Sequence, residues 1–197
     1  MIHGKKEMRH SSKLFPKLRL VGGYKIRVQL GKDLILIYKK IENCIGEICK
    51  FLIPIIQEYY KGDGSKIAIC TLSSIKLLTE ISNDNRLMNN VAIVGRLLSE
   101  NKGIDKIINY CIADKEIVHL VVCGKDGHGH RADNSIIALS QNGITRDGKI
   151  IKSKSPYPHL DSSYEDVETF RGRVTIHNLI EEMDLNRIKS YVDGIIQ

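Results

Sequence analysis

The sequence predicts an α/β fold: a Rossmann-like three-layer sandwich with a mainly parallel sheet, plus an N-terminal β-hairpin and helix extension. Three observations predict it. From Lys66 onward, short apolar runs alternate with helix-spaced amphipathic segments, which is the order of βαβ units. Those runs are almost continuously apolar, as strands covered on both faces require. Gly, Ser and Asn punctuate their ends. A chain of 197 residues is long enough to build one sizeable core around such a sheet.

The elements follow in order. Residues 1–17 read as irregular and basic. Residues 18–21 and 24–30 flank Gly22-Gly23, and the second run, YKIRVQL, alternates apolar with polar, a hairpin signal. Ile41, Cys44, Ile45, Ile48 and Leu52 recur at helical spacing. The segment KGDGS from Lys61 is the strongest internal break. It divides a basic extension, residues 1–60, from a Rossmann-like domain, residues 61–197.

In that domain, residues 66–72 (KIAICTL) predict a buried strand and residues 73–81 a helix with a capping serine. Residues 91–94 (VAIV) predict a second strand, closed by Gly95. Residues 104–112 predict an amphipathic helix. Residues 118–123 predict a third strand, apolar at five of six positions. Residues 134–141 predict a helix stopped by Asn142-Gly143. A fourth strand is expected at residues 149–151, and Pro156 and Pro158 fix a loop. A helix at 164–172, a strand at 173–180 and a helix at 185–195 complete the chain.

Charge narrows the partners. The formal net charge of +7 resides in residues 1–60, which hold 12 Lys/Arg against 5 Asp/Glu. The remainder carries 18 of each and is neutral. No DNA- or RNA-binding motif accompanies the basic third, so nucleic acid is not the expected partner and a solvated arm is. The five cysteines are odd in number, lack a C-x-x-C and sit among apolar residues, as reduced thiols in a cytoplasm do. No stretch reaches the ~20 apolar residues that cross a bilayer. The expectation is a cytoplasmic protein without a membrane span.

In open α/β sheets, ligands sit beyond the carboxyl ends of the strands. Two predicted loops occupy that position: residues 95–103 and residues 124–133. The second, GKDGHGHRAD, places His128 and His130 among three glycines. Its spacing is neither G-x-G-x-x-G nor a Walker A loop. His128-x-His130 is also a possible metal pair, with His159, Asp126 or Asp133 as the third ligand zinc requires. The plain alternative is a polar turn with exposed imidazoles.

The residues of both loops together resemble the corrinoid-binding, A-type subunit of tetrahydromethanopterin S-methyltransferase. That family has a strand ending in Gly, then T-E-N-x-G-I-E-K. Ser99-Glu100-Asn101-Lys102-Gly103-Ile104-Asp105-Lys106 matches it here. It has a second strand ending in Cys-Gly, with the cobalt-ligating histidine six residues after that Gly; Cys123-Gly124 and His130 match. The likeness runs from about residue 66 to residue 192, through Gln141-Asn142-Gly143-Ile144 and into FRGRVTIHNLIEEMD.

The resemblance implies a methyl carrier that holds a cobamide, with His130 as lower axial ligand to cobalt, passing a methyl group from a methyl-pterin to a thiol. It implies cofactor contacts at Gly95, Ser99, Glu100, Asn101, Gly103, Gly124, Lys125, Gly129, Ser135 and Pro158. It also implies partner subunits of a methyltransferase. Asp126 or Asp133 is expected to hydrogen-bond the far ring nitrogen of His130. The chain departs from the family at Arg96, where the family has Pro. It also departs at Ala132-Asp133-Asn134, where the family has Thr-Gly-Gln, and at Lys152 and Ser155, where it has glycines. Alternatives are a diverged regulatory protein on this fold, without corrin, or a small metalloprotein using His128 and His130. Elsewhere, Cys70, Cys123 and His177 are expected to be structural.

Overall fold

The computed structural model describes residues 58–127 and 129–196. The predicted hairpin and helix of residues 1–57 lie outside that range. So does His128.

Five strands form one sheet in the order β1-β3-β2-β4-β5. Strand β2 (Ile67–Cys70) lies parallel to β3 (Ile93–Gly95) on one side and to β4 (His119–Gly124) on the other. Strand β5 (Thr175–Ile180) extends the parallel set beyond β4, with His119 opposite Thr175 and Gly124 opposite Ile180. Strand β1 (Tyr59–Lys61) closes the other edge, antiparallel to β3. The mainly parallel sheet is therefore present as expected.

Helices cover both faces. Helices α1 (Ile75–Ser82), α2 (Asn85–Met88) and α6 (Leu185–Ile196) bury Leu77, Leu87 and Ile188 against Ile67, Ile69, Val121 and Cys123. Helices α3 (Lys102–Ala113), α4 (Ala132–Asn142) and α5 (Tyr164–Arg173) bury Ile104, Ile136 and Phe170 against Ala68, Cys70, Leu120 and Val122. Successive strand residues alternate between the two clusters because strand side chains alternate in direction. That is why these strands read as apolar throughout, and each fully buried Val, Leu or Ile contributes about 1.5–3 kcal/mol.

From β2 the chain crosses through α1 to β3, then returns through α3 past β2 to β4. The reversal creates a switch point between the carboxyl ends of β2 and β4, where ligand crevices form in such sheets.

Three local features differ from the sequence-based expectation. Residues 149–151 are not a strand of the sheet: Ile150 bridges Ile144 and Lys149 bridges His159 as isolated pairs. The left-handed backbones of Gly148 (φ 83°) and Lys152 (φ 62°) bracket the segment and stop it from extending. Strand β1 spans the expected domain break at Lys61. Its three residues are too few to show a period, and pairing with β3 makes it a strand. The short α2, capped by Asp84 at the Leu87 amide, leaves no periodic signal in four residues.

Candidate functional site

The carboxyl ends of β3 and β4 meet through one pair of side chains. The ring Nδ1 of His130 lies 2.9 Å from Oε2 of Glu100. Glu100 stands in the loop between β3 and α3 and is 3% exposed. Its other oxygen, Oε1, accepts from the backbone N–H of Tyr157 at 3.1 Å, in the loop before α5. The carboxylate therefore serves two loops at once. The His130 side chain, by contrast, is 61% exposed.

Local sequence explains why Glu100 turns inward. The first turn of α3 needs acceptors for its unpaired N–H groups. Asn101 Oδ1 accepts from the Lys102 N–H at 2.7 Å, and Ser99 Oγ accepts from the Gly103 N–H at 2.8 Å. With both neighbours engaged in capping, Glu100 is left to face the β4–α4 loop. Asp105, one turn along, is buried and accepts from the Asp161 and Ser162 amides and the Ser162 hydroxyl. This bond set ties α3 to the segment that follows Tyr157.

The chemical consequence lies in the imidazole. A carboxylate only accepts, so the Glu100 contact assigns the ring proton to Nδ1. The lone pair is then at Nε2, on an exposed ring, which is the state a metal-ligating histidine needs. The residue expected to hold the far ring nitrogen was Asp126 or Asp133; Glu100 stands there instead. Asp126 is committed to its own loop, accepting from the Gly127 N–H at 2.8 Å and the Asp133 N–H at 3.4 Å. Burial raises the Asp126 carboxyl above its ordinary value, with the neighbouring Asp133 adding to the effect. The partnership of Glu100 with His130 spans 30 residues, and no local spacing announces it.

The backbone around His130 is unusual. Gly124 has φ 79°, and a Cβ there would lie 2.6 Å from the Thr71 carbonyl, so only glycine fits. Gly129 has φ 107°, with open space around it. Arg131 (φ 51°) and Lys152 (φ 62°) hold left-handed conformations with full side chains. At Lys152 the backbone thus keeps a shape that glycine, the residue of the resembled family, adopts without strain.

The other expected contacts distribute as follows. Ser135 is buried at the start of α4, and its hydroxyl lies 2.9 Å from Ser153 Oγ and 2.8 Å from Ser155 Oγ. Ser153 and Ser155 are also 2.8 Å apart, so three hydroxyls satisfy one another. Pro158 is buried, and its carbonyl accepts from Ile150 at 2.7 Å. Lys125 anchors its loop through the main chain: its N–H donates to Ser74 Oγ and its carbonyl accepts from Ser73 Oγ, each at 2.8 Å. Its ammonium is exposed, 3.9 Å from Glu181. Gly95, Ser99 and Gly103 line a hollow to which His130 does not contribute.

His159 faces Asp147 at 3.9 Å. Among the described residues, no three His, Cys, Asp or Glu side chains converge as a metal-binding group. Cys70 and Cys123 are core residues, as expected. His177 is structural too: its Nε2 lies 3.1 Å from His119 Nδ1, and its Nδ1 lies 3.1 Å from the Tyr191 hydroxyl. Among the described residues, no helix is long and apolar enough to cross a membrane.

Comparison with known proteins finds a family and its relatives. Residues 51–197 match the MtrA family model, which describes the A-type subunit of tetrahydromethanopterin S-methyltransferase. A protein of Methanosarcina acetivorans, provisionally named as the A-type subunit of methyltransferase Mtx, is 32% identical over 142 residues, covering 71% of this chain and 68% of the relative. The second A-type subunit of tetrahydromethanopterin S-methyltransferase from Methanothermobacter thermautotrophicus is 30% identical over 145 residues, 72% of this chain and 76% of that protein. The corresponding protein of Methanosphaera stadtmanae is 34% identical over 116 residues, 58% of this chain and 47% of its own length. A match over some three quarters of the sequence, on a fold that carries the family's loops at the strand ends, means that the chain belongs to the MtrA family, the A-type subunits of tetrahydromethanopterin S-methyltransferase.

Proposed function

We propose that the protein is a methyl-carrier component that binds a cobamide through Nε2 of His130. One observation carries the reading: an exposed imidazole whose inner nitrogen is held by a buried carboxylate, leaving the outer lone pair free. The donor set fits the group, since cobalt accepts an imidazole nitrogen and a carboxylate behind the ring orients it. A cobamide bound here would supply a cobalt centre that accepts a methyl group and gives it up again.

The chain's own residues do the rest. Glu100 fixes the tautomer and the ring direction. Gly124 and Gly129 allow the loop its course between β4 and α4. Lys152 keeps its side chain exposed, and Ser155 keeps its hydroxyl inside the serine cluster at the start of α4. The methyl-pterin donor and thiol acceptor are the substrates that the family resemblance supplies. The relatives are named as subunits, and a carrier that offers one exposed face needs partner subunits to load and unload it.

The experiment is a visible spectrum. Purified protein is incubated with hydroxocobalamin and desalted, beside His130→Ala. Retention of about one equivalent of red corrinoid by wild type, with loss or a spectral shift in the variant, is the expected result. A colourless wild type overturns the cofactor reading.

A further inference from the structure

Helix α3 does not close completely on the sheet. Between it and the β1–β3 end runs an open crevice of about 730 Å³, a size ordinary for small-molecule sites. Its floor is apolar, built by Ala68, Cys70, Ile93 and Leu120 from the strands and Ile107 from the helix. Besides Lys106, three cations line the crevice: Lys61 on β1, Arg96 just past β3 and Lys102 in the first turn of α3. Lys106 stands 4.0 Å from Glu58, the one carboxylate on the described lining, so that pair is neutral and the other three cations remain.

Arg96 is under-satisfied. Among the described residues its guanidinium reaches only the Ser73 carbonyl, at 3.4 Å, and its buried Nε has no hydrogen-bond partner. The Nε is sealed from the crevice, so a bound anion would meet the outer guanidinium N–H groups, which donate in a fixed fork that suits a carboxylate or phosphate. Among the described residues, neither Arg96 nor Lys102 is ion-paired with a carboxylate. An apolar floor under unpaired cations selects one kind of occupant.

We propose that this crevice binds a small molecule with a flat apolar body and one anionic group, the anion lying on Arg96 and Lys102. The site stands apart from the imidazole. Arg96 and Ser99 face the crevice, while Glu100, in the same loop, faces His130. Two sources carry this chemistry: a separate aromatic carboxylate or phosphate, or the phosphate-and-base arm of a corrinoid held by His130. The second source rests on the proposed function and the first does not.

The test uses the full chain and 8-anilinonaphthalene-1-sulfonate, an aromatic sulfonate, followed by fluorescence. One saturable site is expected. Arg96→Leu and Lys102→Glu each weaken it by roughly tenfold, the scale of one charge-assisted contact. Lys102 is exposed, and a glutamate in a first helical turn suits the helix dipole, so that variant keeps its fold. The neutral analogue N-phenyl-1-naphthylamine binds wild type and Lys102→Glu alike. Absence of saturable sulfonate binding, or wild-type affinity in both variants, overturns the proposal. Displacement of the dye by hydroxocobalamin but not by cobinamide, which lacks the arm, assigns the corrinoid arm. Failure of both to displace it assigns a separate ligand. Equal displacement by both places the ring itself over the crevice and overturns an anion-selective site.

Discussion

Glu100 and His130 pair a carboxylate sealed from solvent with an imidazole open to it, 2.9 Å apart. The exposed partner is ready for a ligand and the buried one sets how it is presented. Removing the carboxylate should therefore act through the histidine. Glu100→Gln keeps the shape but replaces a charged acceptor with a neutral amide. Corrinoid affinity is expected to fall by about 10- to 100-fold, as for other partners behind a ligating histidine. Equilibrium titration with hydroxocobalamin, with melting followed by circular dichroism, separates this loss from unfolding.

Lys152 holds a left-handed backbone at φ 62°. A side chain there is strained, and glycine is not. Lys152→Gly is expected to stabilise the fold by about 1 kcal/mol, offset in part by the greater freedom glycine has when unfolded. Urea unfolding measures it, and a loss of stability would refute the strain.

Asp105 accepts three hydrogen bonds from residues 161 and 162. Asp105→Ala leaves two amides and a hydroxyl without that acceptor. The expected cost is about 2–4 kcal/mol, since each unsatisfied buried group costs ~1–3 kcal/mol and water re-pairs some of them. The same denaturation series checks it.

His177 has its pKa lowered below the ordinary 6.5, first by burial and then by the adjacent His119. The unfolded chain therefore takes up a proton at higher pH than the folded one. The stability contributed by neutral His177 is complete above pH 6.5 and is lost as pH falls below it, toward the lowered folded value. The midpoint of thermal unfolding is expected to drop between about pH 7.5 and about pH 5. His177→Gln should flatten that slope.

Burial raises the Cys70 thiol to about 12 and the Cys111 thiol to about 11, and it raises Cys123 as well. Thiolate is the reactive form. Native protein treated with iodoacetamide at about pH 8, near the ordinary thiol value, should leave these three unlabelled, and unfolded protein should label all of them. Peptide mass spectrometry reads each position separately.

How far the sequence can be read depends on the distance over which residues act. The buried strands are legible because VAIV and HLVVC carry their burial in their own composition. The helix after Gly103 is legible because Ile104, Ile108 and Cys111 share one face. Strand β1 is not, since three residues carry no period and their pairing with β3 is tertiary. Topology locates the loops at the strand ends correctly. It does not locate the support for His130, because Asp126 and Asp133 are nearer in sequence than Glu100, and sequence distance says nothing of which loop folds back.

The bond from Glu100 to the Tyr157 amide carries a consequence in time. The carboxylate meets partners 30 and 57 residues further along the chain. A growing polypeptide that has made His130 has the imidazole but not the complete brace behind it. The pose needs the segment at Tyr157 to be synthesised and docked. The braced pose of the ring thus arrives late, with the closing of the fold, and an unfinished chain presents an unguided histidine.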